Sequence, residues 1–158
     1  MTPWPYDEGG VGEDAAERWA IATLDHFAAK AGYRSLLDAR PASGGWRRRY
    51  LGEDGRESLA AVGGAGSRFA SLGVEIAAPR ARVESRAHAL VSALAAYEVA
   101  VDPDAGADPQ GEEAVVRVAL RLFLDGLTEG AVRDACGTLA AAAAEARRVL
   151  GVTSRPRS

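Results

Sequence analysis

The chain has 158 residues, of which 47% are hydrophobic, and it carries a net charge of −3. This length suits one domain with its own core, and the hydrophobic fraction excludes a protein that is disordered throughout. The small negative charge argues weakly against a general nucleic-acid binder, but it is compatible with a local basic patch.

Compartment signals are few. Cys136 is the only cysteine, so the chain forms no internal disulfide. The N-terminal residues lack the apolar region of a signal peptide, and no apolar run reaches the roughly 18–20 residues of a membrane span. We therefore expect a soluble cytoplasmic protein that makes no membrane contact.

The chain begins with a predicted mobile arm and a helix. Residues 1–12 contain two prolines and three glycines, which favour an arm. Apolar residues then recur at helical spacing over about 14–31, and Gly32 follows as a stop signal. Asp14 and Glu17 form a capping-box pattern at the start of this helix.

A predicted antiparallel meander follows the first helix. The segments "WRRRYL" and "RESLAAV" flank Asp54-Gly55, which is a strong hairpin signal. The glycine-rich residues 63–67 predict a second turn. Residues 68–78 then alternate between two faces as a long strand, which ends at Pro79.

Helical spacing returns over residues 85–96, which predicts a second helix. Residues 97–102 alternate as a strand, with Tyr97, Val99 and Val101 expected to face inward. A loop rich in Pro, Gly and Asp separates this strand from the next one.

The last strand and the last helix have the clearest patterns. Residues 114–124 alternate, with one wholly apolar face that predicts a strand packed on the core. Thr128 is a good N-cap for a helix over about 129–150, and Gly151 ends it. Residues 152–158 read as a flexible basic tail.

The element order is therefore α-β-β-β-α-β-β-α, which predicts an α+β domain over residues 13–151. Because the strands are amphipathic, we expect a mainly antiparallel sheet with helices packed on one face and an open opposite face.

The sequence gives no support for catalysis or for a metal site. His26 and His88 lie on different predicted helices without further ligands at useful spacing. Cys136 belongs to the apolar stripe of the last helix, where thiols are usually inert. The "GGAGSR" segment lacks the spacing of a phosphate loop, and a strand rather than a helix follows it. We expect no enzyme activity, no cofactor and no metal.

The open face is the strongest candidate for a binding surface. It is expected to combine aromatic and charged residues, as protein-binding surfaces do. A plain solvated sheet face and a homodimer contact are the alternatives. The residues predicted to contact a partner are Phe69, Arg117, Arg121, Phe123, Arg47 and Arg49.

Three consecutive arginines in "WRRRY" raise nucleic-acid binding as an alternative. In a strand, Trp46, Arg48 and Tyr50 point to one side, whereas Arg47 and Arg49 point to the other. Sheet-based RNA binders need exposed aromatic and basic residues on the same face. This arrangement argues against nucleic acid as a partner, and the arginines fit an edge strand or a binding rim.

The element order also resembles that of type III secretion chaperone-like domains, including the YbjN family. The segments "RFASLGVEIAAPRARVESRAHALVSAL" and "VVRVALRLFLDGLTEGAVRDACGTLAAAAAEA" carry this resemblance, which is one of pattern. It implies a small, usually dimeric domain that binds proteins or acts as a chaperone. The family has no catalytic motif.

We therefore expect a non-enzymatic, chaperone-like or adaptor domain that binds a protein partner of unknown identity and acts as a homodimer. Two alternatives remain open. One is nucleic-acid binding through the strand from Trp46 to Tyr50, and the other is small-molecule binding between the helices and the sheet.

Overall fold

The computed structural model describes residues 13–36, 45–52, 58–64, 68–101 and 112–152, with side chains described from Glu17 onward. The predicted arm, the Asp54-Gly55 turn, most of the second turn, residues 153–158 and the Asp14 side chain lie outside this part. In chain order the elements are α1 (Glu13–Lys30), β1 (Tyr33–Leu36), β2 (Trp46–Gly52), β3 (Ser58–Gly63), β4 (Phe69–Pro79), α2 (Arg80–Ser85), α3 (Ala87–Ala93), β5 (Glu98–Val101), β6 (Glu113–Phe123) and α4 (Glu129–Leu150).

The six described strands form one sheet in the order β1-β2-β3-β4-β6-β5, and all neighbours are antiparallel. The central pair is β4 with β6, which runs in register from Phe69 opposite Phe123 to Pro79 opposite Glu113. The predicted α+β class is confirmed, as are the antiparallel pairings of the meander.

The hydrophobic core lies on one side of this sheet. Alternation along the strands sends every second side chain toward the helices. The core cluster joins these strand residues to the buried faces of the helices, and it includes Leu24, Leu72, Val74, Leu90, Val116, Val118, Leu139 and Leu150. Ala60 and Ala119 are also buried, but they do not belong to this cluster.

Helix α4 has well-defined ends. The Thr128 hydroxyl oxygen accepts a hydrogen bond from the Ala131 N–H at 3.1 Å, as the sequence predicts for an N-cap. Gly151 ends the helix at φ +68, a conformation that glycine adopts without strain. Arg82 and Arg86 donate to carbonyls of the last turn, where the helix dipole favours cations.

The structure departs from the predicted elements in three places. The four-residue β1 is an additional edge strand, too short to give a clear alternation. The second helix begins directly after Pro79 and is divided at Arg86, whose φ of −113 lies outside the helical range. Val101 was expected to face inward but is 47% exposed, because β5 is an edge strand.

No helix in the described part of the chain is long and apolar enough to cross a bilayer.

Candidate functional site

The open face is the surface of the sheet opposite the helices. Strand register places all six residues predicted to contact a partner on this face: Arg47, Arg49, Phe69, Arg117, Arg121 and Phe123. The structure divides them into two groups. We call Arg47, Arg49, Glu75 and Arg117 the centre, and Phe69, Arg121 and Phe123 the aromatic end.

The centre is charged, and its closest ion pair is almost fully buried, whereas Arg49 and Arg117 are partly exposed. One oxygen of Glu75, Oε2, contacts a terminal nitrogen of Arg47 at 2.8 Å and one of Arg49 at 3.3 Å. The side chains of Arg47 and Glu75 are only 3% and 8% exposed. These contacts join β2 to β4 across β3, whose Ala60 has no bulk to obstruct them. The centre therefore braces three strands from the open side.

Arg117 extends this brace from β6. Its guanidinium donates to the Ser71 hydroxyl at 2.8 Å, to the Ser71 carbonyl at 2.6 Å and to the Ala60 carbonyl at 2.7 Å. It passes over Gly73, where an added Cβ would lie 3.1 Å from the Arg117 Cζ and 2.9 Å from the Ala119 Cβ. A glycine inside a strand often marks such a close approach.

The aromatic end has the opposite character. The rings of Phe69 and Phe123 lie 4.4 Å apart between centroids at a tilt of 48°, and the Arg121 guanidinium carbon lies 5.5 Å from the Phe69 centroid. Phe69 is 36% exposed and Phe123 is 64% exposed. Phe123 is therefore largely exposed and Phe69 is partly covered, and two phenylalanines beside an arginine match the residue types enriched in protein interfaces.

The charges at the aromatic end are balanced. Arg121 contacts Glu98 at 3.3 Å, and the neighbouring Arg68 contacts Asp125 at 3.5 Å. All four side chains are well exposed, so each pair contributes little to stability. The aromatic end therefore presents apolar rings without a net charge from these two pairs.

The middle arginine of the triplet, Arg48, lies on the helix side of the sheet. Arg48 donates to the Asp25 carboxylate from two nitrogens, at 2.8 and 3.1 Å, and the Tyr50 hydroxyl donates to the same carboxylate at 2.8 Å. The hydrogen bonds with Asp25 raise the pKa of Arg48. Burial, followed by the Asp25 charge, raises the pKa of Tyr50 far above its usual value.

Each arginine of the "WRRRY" segment therefore contacts a carboxylate of this chain. Arg47 and Arg49 use Glu75, and Arg48 uses Asp25. The Trp46 and Tyr50 side chains are 2% and 1% exposed, so in this conformation their rings have no open face for a base. The sequence did not predict the contact between Arg48 and Asp25. A charged side chain that faces the core needs a partner, and an acid on the covering helix is the nearest source.

The histidines and the cysteine lie apart from the open face. His26 is on α1 and His88 on α3, and no group of three metal-ligating side chains occurs within the described ranges. Cys136 lies in the buried stripe of α4, as predicted, and burial raises the pKa of its thiol to about 11. The thiol is therefore protonated at neutral pH.

A cavity of about 570 Å³ lies between α1 and the start of α4. It falls within the size range of small-molecule sites. Four apolar residues, two threonines, one histidine and one glutamate form its wall. Its lining residues are Trp19, Ala22, Thr23, His26, Phe27, Leu127, Thr128 and Glu129.

No protein-family model matches this chain, and no curated protein matches it. Among solved structures, the chain is similar to the crystal structure of an uncharacterized protein from Methanothermobacter thermautotrophicus, with a TM-score of 0.54. The two share 11% sequence identity, and the likeness covers 84% of this chain and 96% of that one. At this identity the likeness concerns the fold alone.

Proposed function

We propose that this chain is a non-enzymatic protein-binding domain that contacts its partner through the aromatic end of the open face. The observation that carries the proposal is the exposed pair of Phe69 and Phe123 beside Arg121. Burying these rings against a partner removes apolar area from water at roughly 25 cal/mol per Å², and it shields the contact between Arg121 and Phe69 from solvent.

The centre supports this function indirectly. Its contacts tie β2, β3, β4 and β6 together on the open side, so the strands that carry the aromatic end are held in a fixed shape. A rigid surface loses less conformational entropy on binding. Direct contact of Arg47, Arg49 and Arg117 with a partner remains a sequence-based prediction.

The chaperone-like or adaptor role, the homodimeric state and the cytoplasmic location belong to this proposal as well. They rest on the resemblance in element order and on the composition of the chain. Nucleic-acid binding is the less favoured alternative, because all three arginines of the triplet contact carboxylates of the same chain.

Site-specific photo-cross-linking tests the proposed function. A photoreactive benzoyl-phenylalanine replaces Phe123 in one variant and Val91 in a matched control, in cells of the organism that encodes the chain. Val91 is a good control because it is 55% exposed but lies on α3, on the helix side. We expect protein cross-links from position 123 that Arg121→Glu suppresses, and none above background from position 91.

Equal cross-linking from both positions, or none from position 123, would contradict the proposal. Each cross-linked protein is then purified, and its binding is measured by calorimetry against the unmodified chain and against Phe123→Ala. A specific partner should lose at least about 10-fold in affinity with Phe123→Ala, as expected for a hot-spot aromatic.

Small-molecule binding is a second candidate, favoured by the cavity between α1 and α4. Its walls combine Trp19, Phe27 and Leu127 with the polar groups of His26 and Thr128. A screen of small aromatic compounds by thermal unfolding tests it, with Ala22→Trp to fill the cavity. A ligand that raises Tm in the unmodified chain but not in Ala22→Trp would support this candidate.

A further inference from the structure

The outer edge of β6 is incompletely covered. β5 pairs with β6 only from Val116 to Ala119, and no described strand continues along Arg121 and Phe123. Within the described ranges, no strand therefore pairs with the outer edge of β6 beside the aromatic end. An open edge presents main-chain donors and acceptors that suit a further strand.

The hydrogen-bond pattern shows which main-chain groups face this edge. The Leu124 N–H donates to the Arg68 carbonyl at 2.8 Å, and the Arg80 N–H donates to the Glu112 carbonyl at 2.6 Å. Both bonds fit the register of β4 with β6, so even-numbered residues of β6 bond to β4. The N–H and C=O groups of odd-numbered residues, including Arg121 and Phe123, therefore point to the outer side.

This edge is self-complementary. In an antiparallel pairing of two copies with Leu122 opposite Leu122, Arg121 faces the partner's Phe123 and Phe123 faces the partner's Arg121. Because Arg121 and Phe123 both direct their main-chain groups outward, each of these two pairs exchanges two hydrogen bonds. The same arrangement puts each guanidinium beside a phenyl ring on the open face.

Two further observations favour a second copy. The guanidinium carbon of Arg121 already lies 5.5 Å from the centroid of Phe69, so this side chain contacts a phenyl ring within one chain. The contact proposed with the partner's Phe123 is of the same kind. Glu98 and Asp125 balance Arg121 and Arg68, so two identical surfaces meet without a large charge repulsion. A two-fold contact requires such self-complementarity, because the same patch serves both subunits.

We propose that a second copy of this chain pairs along the outer edge of β6, with Leu122 at the two-fold axis, and joins the two six-stranded sheets. The inference rests on the proposed function, since it names the partner of the aromatic end. It concerns a strand contact at the edge, so main-chain groups of Arg121 contribute together with its side chain.

Arg121→Pro and Arg121→Ala separate the main-chain contribution from that of the side chain. Both remove the guanidinium, but only proline removes the outward N–H. Because this N–H does not bond to β4, proline leaves the pairing of β4 with β6 intact, and edge strands tolerate it in such positions. Unfolding temperatures and circular dichroism of both variants verify that the fold is kept.

The solution mass is measured by light scattering after gel filtration, from roughly 10 µM to roughly 1 mM. We expect the unmodified chain and the control Val91→Ala to reach twice the mass of one chain. Arg121→Ala should weaken the dimer, and Arg121→Pro should raise its dissociation constant by a further factor of roughly 10–100, because one hydrogen bond is lost in each copy.

Amide hydrogen exchange of the unmodified chain gives a second readout without any substitution. The Arg121 and Phe123 amides should exchange rapidly in dilute samples and become protected as the dimer forms. A monomer throughout the range, equal effects of Arg121→Pro and Arg121→Ala, or a dimer without protection of these amides would overturn the inference.

These outcomes separate the inference from the proposed function. A monomer whose position 123 cross-links specifically to a different protein retains the protein-binding function and rejects the second copy. A monomer that gives no specific cross-link from position 123 rejects both.

Discussion

The two regions of the open face invert the usual relation between polarity and exposure. At the centre, the ionic side chains of Arg47 and Glu75 are 3% and 8% exposed. At the aromatic end, the apolar ring of Phe123 is 64% exposed. Buried charges are costly unless they are paired, and exposed rings forgo the free energy of burial. This difference supports the proposal that the centre serves the fold and the aromatic end serves contact.

Small residues explain how the centre holds charges without a helix above them. Ala60, Gly73 and Ala119 are in register across β3, β4 and β6. They leave a shallow row in which the guanidinium of Arg117 lies against the backbone. At the aromatic end the register neighbours are two phenylalanines, which pack on each other and project outward.

The largest effect on stability should come from Glu75→Ala. It removes the carboxylate that Arg47 and Arg49 share, in a site where both partners of the closest contact are almost buried. Breaking a buried ion pair on one side costs about 3 kcal/mol of unfolding free energy. Urea denaturation measures this loss.

Glu98→Ala is the matched control for Glu75→Ala. Glu98 lies on the same face and contacts Arg121, but its side chain is 53% exposed. The control should change the free energy of unfolding by less than about 0.5 kcal/mol. Equal losses in the two variants would contradict the division between the centre and the aromatic end.

Gly73→Ala should destabilise the protein by about 1–3 kcal/mol, because the new methyl group meets Ala119 and the Val118 carbonyl at 2.9 Å. Gly137→Ala on α4 is the opposite control, since its Cβ meets nothing within 4 Å. That change should stabilise the protein by about 0.5–1 kcal/mol. If Gly73→Ala unfolds no more easily than the unmodified chain, the close approach of β6 to Gly73 is incorrect.

Asp25→Ala extends the comparison to the helix side. The Asp25 and Arg48 side chains are 27% and 24% exposed, so water partly screens their contact. The loss should be about 1 kcal/mol, smaller than for Glu75→Ala, although Asp25 also accepts from Tyr50. Denaturation of the two variants under identical conditions tests this order, and a larger loss in Asp25→Ala would reverse it.

The smallest effect on stability should come from Phe123→Ala at concentrations where the chain is monomeric. Since the ring is mostly exposed, the free energy of unfolding should change by no more than about 0.5 kcal/mol. Denaturation at low concentration measures it. A loss above about 2 kcal/mol would show that the ring belongs to the fold and would argue against its role in contact.

Much of the fold was predictable because alternation and caps are local signals. The apolar face of residues 114–124, the cap at Thr128 and the stop at Gly151 all appear in the structure as predicted. The break at Arg86 was not predictable from periodicity, because it accompanies a contact between Arg86 and the distant end of α4. The four residues of β1 are too few to show a period.

The sequence predicted which residues lie on the open face, but it did not predict that they divide into the centre and the aromatic end. Alternation placed Phe69, Arg117, Arg121 and Phe123 on one face, and the register confirms this. It gave no indication that Arg47 is buried or that Arg117 crosses Gly73 to reach β3, since both depend on which strands are neighbours. Gly73 inside an otherwise regular strand was the one local sign of a close approach.

The photo-cross-link from position 123 is the most direct test of a contact function, because it reports contact at the aromatic end itself. We expect specific protein cross-links at position 123 that Arg121→Glu suppresses, with position 91 at background. Cross-linking that is absent at position 123, or equal at both positions, would contradict a contact function for the aromatic end.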